Sequence, residues 1–313
     1  MAKLLQSNNF LRSSSTLKMY PFNSCDTVRY PLTIKCLPQN TNSAGSPPRV
    51  GSSTKHQLRG QPAVNVAADN TNNYTQADLR LDNVPKHVAI ILDGNRRWLK
   101  ARDKPLISYE PFFEANLVFA DLCIKWGILT ATSFVYSLKN LERGQEANDL
   151  LFGQLEIFLE QNRQQFIRKG IRMKVIGERT LLPQTLQWKI TEVEEATREC
   201  TNLEFMLAVC YAGTRDIVQA TKSVCEKVKN GVIEVKAIDE ALLESELSTG
   251  GSRAPQIDLL IRTGGRLRVS DYLMWQMAQA ELYFSNVYAP DFDEVEFAHA
   301  IHSFQLRERT FGN

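Results

Sequence analysis

Along the chain from residue 82, short apolar runs alternate with long stretches of helical spacing. His87–Asp93 (HVAIILD) is an apolar run that ends in an acid and is followed by Gly94-Asn95. Thr130–Ser137 (TATSFVYS) is rich in β-branched and aromatic residues. Met173–Gly177 (MKVIG), Glu204–Tyr211 (EFMLAVCY) and Asp258–Arg262 (DLLIR) have the same character. Helical patterns separate them at Tyr109–Trp126, Asn148–Lys169, Pro183–Asn202 and Asp216–Asn230. Apolar strands this short, spaced by helices, predict an α/β domain with a mainly parallel sheet covered on both faces. Such sheets bind ligands beyond the carboxyl ends of their strands.

The chain before that region is different. Residues 1–68 hold eight Lys/Arg and one acid, a net charge of +7, with many serines and asparagines. A basic, acid-poor, hydroxyl-rich leader without an apolar h-region reads as an organelle transit peptide, plastid rather than mitochondrial. Residues 69–81 read as a linker and 82–313 as the folded catalytic domain. The whole chain of 313 residues carries only +2, so charge gives no argument for a nucleic-acid partner. No apolar run approaches the roughly 18–20 residues of a membrane-spanning helix. Six cysteines without a C-x-x-C pair read as reduced thiols, not a disulfide or zinc framework.

Three strand tips share a chemical theme. One is Asp93-Gly94-Asn95-Arg96-Arg97. The second is Ser137-Leu138-Lys139-Asn140 with Arg143, and the third is Arg262-Thr263-Gly264-Gly265-Arg266-Leu267-Arg268. A carboxylate, forked guanidinium donors and glycine turns together suit a Mg²⁺-bound polyphosphate. Neither G-x-x-x-x-G-K-[ST] nor a G-x-G-x-x-G at the first strand is present, which disfavours ordinary P-loop and dinucleotide enzymes. Residue chemistry alone leads to an α/β enzyme for a phosphorylated ligand.

Five ordered motifs carry a resemblance further. HVAIILDGNRRW (87–98), SFVYSLKNLERG (133–144), LAVCYAGTRDI (207–217), IRTGGRLRVSDYLMWQMAQAELYF (261–284) and PDFDE (290–294) are similar to the cis-prenyltransferases, the undecaprenyl diphosphate synthase family. The resemblance implies a single α/β domain around an apolar tunnel, a homodimer, Mg²⁺ as cofactor and prenyl diphosphates as substrates. It implies that Asp93 helps hold Mg²⁺ and promotes departure of the allylic diphosphate. Gly94, Asn95 and Arg97 match the cradle for that diphosphate, with Arg96 beside them. Arg262, Arg268 and Ser270 match the anchor of the second, homoallylic diphosphate. Ser137, Asn140 and Arg143 match a mobile loop that positions substrate. Glu281 matches a carboxylate at the dimer contact that also bears on the metal. Phe113 and Val135 match tunnel positions.

Departures from the family pattern shape the expected product. Arg96 stands where the family has glycine, Leu106 and Glu110 where it has arginine and histidine, and Phe113 where it has another glycine. Leu141 replaces a tryptophan, Arg266 replaces an acid, and Thr310-Phe311-Gly312 lacks the family's R-x-G arginine. Bulky Phe113 and Val135 suggest a short product. Changes in both substrate halves suggest head-to-middle condensation of two dimethylallyl diphosphates, as in the lavandulyl type of plant plastid enzyme. The alternative is a neryl-type or longer head-to-tail synthase that uses isopentenyl diphosphate. A second alternative is a non-catalytic subunit of a heteromeric synthase.

Overall fold

The computed structural model describes residues 80–105 and 108–309. The transit-peptide reading, nearly all of the linker, Leu106 and Thr310 therefore lie outside the described residues. Six strands form one all-parallel sheet: β1 His87–Ile91, β2 Thr130–Ser137, β3 Ile171–Ile176, β4 Leu203–Tyr211, β5 Leu259–Arg262 and β6 Glu281–Phe284. Their spatial order is β3-β4-β2-β1-β5-β6. β1, β4 and β5 are buried at every position, which accounts for their unbroken apolar runs.

Among the described residues, seven α-helices accompany the sheet: α1 Asn95–Ala101, α2 Glu110–Lys125, α3 Gln145–Lys169, α4 Gln184–Ala196, α5 Gly213–Lys229, α6 Glu240–Glu246 and α7 Glu294–Gln305. One core, built from Leu92, Phe119, Leu155, Phe166, Phe205 and Phe297 among others, lies on one face of the sheet. A second, with Ala89, Ile91, Phe134, Met206, Tyr211 and Tyr272, lies on the other. Alternate residues of β1 divide between them, as period-2 geometry requires. Among the described residues no helix is long and apolar enough to cross a membrane. Cys123, Cys200, Cys210 and Cys225 are free thiols.

The strand order sets the site. From β1 the chain moves to β2 and on towards one edge, then returns to place β5 on the other side of β1. That reversal opens a crevice beyond the carboxyl ends of β1 and β5. Asp93 and Arg262 sit there, because Ile91 pairs with Arg262 in the register.

Two bulges reshape the neighbouring tips. Between β2 and β4, Phe134 pairs with Ala208, Tyr136 with Val209 and Ser137 with Tyr211. Val135 is the extra residue on one strand and Cys210 on the other. Cys210 takes a left-handed backbone (φ 49°) to fit. The first bulge turns both Val135 and Tyr136 to the same face, the one covered by α2 and α3.

Candidate active site

A cavity of about 300 Å³ opens at these tips. Asp93, Gly94, Asn95, Arg96, Arg97, Ser137, Asn140, Arg143, Arg262, Arg268 and Ser270 form its polar lining. Residues from three separate motifs, spread over 178 positions from Asp93 to Ser270, thus converge on one space.

Asp93 organises the rim. Its carboxylate accepts from Arg262 Nη2 at 2.9 Å and pairs with Arg97 Nη2 at 3.2 Å. Its backbone carbonyl accepts from Thr263 Oγ1 (2.8 Å) and Ala289 N–H (3.0 Å), which fixes the residue from both neighbouring segments. Arg262 is 4% exposed. Burial lowers its pKa from the ordinary arginine value, and Asp93 opposes that shift. A second Arg262 nitrogen donates to Ser270 Oγ (2.7 Å) and to the Arg268 carbonyl. The segment that carries Arg268 and Ser270 is held by Asp271, whose carboxylate accepts from Thr214 N–H (2.9 Å) and Thr214 Oγ1 (2.8 Å) at the start of α5.

Glycine is required at two points. Gly264 has φ +79°, and a Cβ there would lie 2.7 Å from Arg97 Nη2 and 2.8 Å from the Asp93 carbonyl. Its own carbonyl accepts from Arg97 Nη1 at 2.7 Å. Gly94 has φ +111°, and a Cβ would lie 2.6 Å from the Tyr288 ring, which also receives the Arg97 guanidinium at 5.3 Å. Each turn is left-handed and crowded, so a side chain at either position would displace Arg97 or Asp93.

The electrostatic balance favours an anion. Five arginines and one carboxylate line the cavity, a local charge of +4, whereas residues 69–313 sum to −5. Concentrated positive charge in a cleft draws a polyanionic ligand. Asp93 supplies the hard oxygen that Mg²⁺ prefers, and Asn95 Oδ1 is buried without a partner beside it. Among the described residues no three His, Cys, Asp or Glu side chains cluster as a complete metal site. The donor set fits an ion bound by one carboxylate and completed by substrate phosphate oxygens.

Several expectations change. Within one chain Glu281 is not brought up to Asp93. It pairs with Leu259 at the start of β6, three residues from the level of Arg262, or about 10 Å along the strand. There it binds Arg307 through its carboxylate at 2.5 Å. Phe113 does not line the cavity. On α2 it lies about 100° round the helix from Phe112, and it stacks on Phe158 of α3 (4.9 Å, 25°). Phe112 forms the wall instead, with Leu92, Tyr109, Val135 and Tyr136. Asn95, Arg96 and Arg97 belong to α1 and not to a loop. Glu110 is exposed at the start of α2, outside the cavity lining. Tyr109, Phe112, Phe134 and Tyr136 were the residues that motif reading missed; their only signal was aromatic character next to a polar tip.

Comparison with known proteins decides the family. The family profile described as "Putative undecaprenyl diphosphate synthase" matches residues 91–312. The chain belongs to the cis-prenyltransferase family. Over 230 residues it is 45% identical to (2Z,6Z)-farnesyl diphosphate synthase CPT6, chloroplastic, of Solanum lycopersicum, covering 73% of this chain and 79% of that one. Over 235 residues it is 43% identical to Cis-prenyltransferase 4, chloroplastic, of the same plant, covering 75% and 76%. The crystal structure of lavandulyl diphosphate synthase from Lavandula x intermedia, in complex with dimethylallyl diphosphate, superposes with a TM-score of 0.71 at 33% identity. That alignment covers 74% of this chain and 99% of the other. This cis-prenyltransferase is therefore an enzyme of prenyl diphosphate synthesis with the α/β fold of its relatives. Its likeness to the lavandulyl enzyme is structural, and its higher sequence identity is to a (2Z,6Z)-farnesyl diphosphate synthase.

Proposed function

We propose that this chain is a plastid, short-chain cis-prenyl diphosphate synthase that joins isopentenyl diphosphate head-to-tail to an allylic diphosphate, with C10 to C15 products. The observation that carries the reading is the cavity itself: a cationic rim around Asp93 above an apolar wall in which Phe112 stands. Its volume is at the lower end of the roughly 300–1,000 Å³ typical of small-ligand sites. The head-to-middle expectation gives way here because a farnesyl-type relative shares more of the sequence than the lavandulyl enzyme does.

In this reading Gly94, Asn95, Arg96 and Arg97 bind the allylic diphosphate. Arg262, Arg268 and Ser270 bind the second one. Asp93 and Asn95 hold Mg²⁺, which when bound stabilises negative charge on the departing diphosphate. Ser137, Asn140 and Arg143 orient the substrate from the β2 tip. The allylic C–O bond breaks and its electron pair leaves with pyrophosphate. The isopentenyl double bond then attacks C1 of the allylic cation, and the proton lost from C2 of the isopentenyl unit passes to an oxygen of the released pyrophosphate. Arginines fixed before the reaction stabilise the leaving group as its charge develops. The wall of Leu92, Phe112 and Val135 keeps water from the cation. Glu281 belongs, in this reading, to the contact with a second copy of the chain.

The chloroplastic relatives and the basic leader support the plastid location. The test is substrate requirement. Purified protein with Mg²⁺ should release pyrophosphate from dimethylallyl and isopentenyl diphosphates together and not from dimethylallyl diphosphate alone. Release from dimethylallyl diphosphate alone would instead establish the head-to-middle reaction. No release from any pair would mark a subunit that needs a partner.

A further inference from the structure

The short 3₁₀ segment Leu138–Arg143 that follows β2 contributes Asn140 and Arg143 to the rim, yet none of its residues is buried. Beyond its own 3₁₀ turns, two further bonds close its ends. Asn140 N–H donates to Ser137 Oγ at 3.2 Å, and Gly144 N–H reaches the Leu141 carbonyl at 3.4 Å.

Two side chains outside the segment also hold it. Asn148, in the first turn of α3, donates from Nδ2 to the Leu141 carbonyl at 3.1 Å. Its Oδ1 faces Tyr136 Oη at 2.7 Å, and that same hydroxyl lies 2.9 Å from the Asn140 carbonyl. A tyrosine hydroxyl has one hydrogen, and both groups facing it here are acceptors. The hydrogen therefore serves either the turn or the helix, and the other acceptor has a weakened bond. The Arg143 guanidinium also lies over the Tyr136 ring, 5.7 Å from its centroid. Ring and hydroxyl of one buried side chain thus bear on both ends of the segment.

Resting on the reading of the site given above, we propose that Asn148, bonded both to the Leu141 carbonyl and to Tyr136, is a positioning residue that holds Asn140 and Arg143 over the bound diphosphate. Neither atom of the Asn148 amide lines the cavity, so its effect on substrate passes through the turn. Loss of the latch lowers the fraction of time that the two rim groups are in place.

The test combines exchange, binding and kinetics on the full chain. Tyr136→Phe keeps the ring and removes only the hydroxyl. Asn148→Leu removes both amide contacts, and Asn148→Asp keeps the acceptor while losing the donor to Leu141. Hydrogen exchange at the amides of residues 140–144 should speed up by about five- to tenfold in Tyr136→Phe and in Asn148→Leu, the effect of one lost hydrogen bond. Asn148→Asp should fall between these and the unaltered chain. Affinity for inorganic pyrophosphate should drop by a similar factor. Turnover should fall while the Michaelis constant for isopentenyl diphosphate holds, because Arg262, Arg268 and Ser270 are untouched. The double variant should lose less than the product of the two single losses, because the Tyr136–Asn148 contact is shared by both. Unchanged exchange in both single variants, or losses that add in the double variant, would overturn the proposal. Exchange needs no turnover, so an unaltered chain inert towards every C5 pair, with this exchange pattern intact, would fail the functional reading and leave the latch standing.

Discussion

Asp93 and Arg262 stand at the tips of adjacent parallel strands, and their side chains meet at 2.9 Å. The pair is asymmetric. Arg262 is almost wholly buried, whereas the Asp93 side chain keeps 29% of its surface exposed towards the cavity. The carboxylate holds the guanidinium in place while still facing a ligand. Asp93→Asn should lower turnover by about 10²–10³, the scale of losing one preorganised transition-state contact. It should also lower stability by about 1–3 kcal/mol, because a buried cation loses its charged partner. Steady-state kinetics with a thermal melt checks both; retained turnover would remove Asp93 from the chemistry.

Arg262→Lys tests the geometry of the same pair. One guanidinium reaches Asp93, Ser270 and the Arg268 carbonyl together. A lysine ammonium on a flexible stem cannot span all three. The Michaelis constant for isopentenyl diphosphate should rise by about tenfold or more, the weight of a lost charged hydrogen bond. An unchanged constant would place the second diphosphate elsewhere.

Phe112 and Phe113 are adjacent in sequence and separate in function. Phe112→Ala removes cavity wall and should shift products to longer chains, read by the mass of the dephosphorylated alcohols. Phe113→Ala removes a core ring and should cost about 3–5 kcal/mol of stability. With the Phe112 wall intact, its product length should stay the same. The opposite pattern would mean that the tunnel runs past Phe113.

His87, at the start of β1, is fully buried with Nε2 2.8 Å from Thr132 Oγ1. Burial pulls its pKa down to about 4 from an unfolded value of 6.5. Between those values the unfolded chain binds the extra proton, so stability falls as pH drops below about 6.5 and the loss is complete below pH 4. The size is about 3 kcal/mol. Denaturant unfolding at pH 7, 5.5 and 4.5 measures it, and His87→Gln should flatten the dependence. An unaltered slope in that variant would assign the effect to other groups.

Much of this was legible in the sequence. Five of the six strands and four of the helices were marked by apolar runs and helical spacing. A parallel sheet makes this easy, since each buried run stops where its polar tip begins. β6 was missed because four residues, ELYF, give too short a run beside the Trp- and Met-rich segment before it. The rim arginines were found because they follow strands directly. Three features were hidden. The wall role of Phe112 depends on helix phase against α3, which two neighbouring phenylalanines do not reveal. The joint facing of Val135 and Tyr136 depends on a bulge that breaks period-2 alternation. The distance of Glu281 from Asp93 depends on strand register.

The most direct test of the account is product length under excess isopentenyl diphosphate. Purified protein with Mg²⁺ and dimethylallyl diphosphate should accumulate cis alcohols of C10 to C15 after dephosphorylation, and the series should stop there. A ladder running to long polyprenols would contradict a cavity limited by the Phe112 wall.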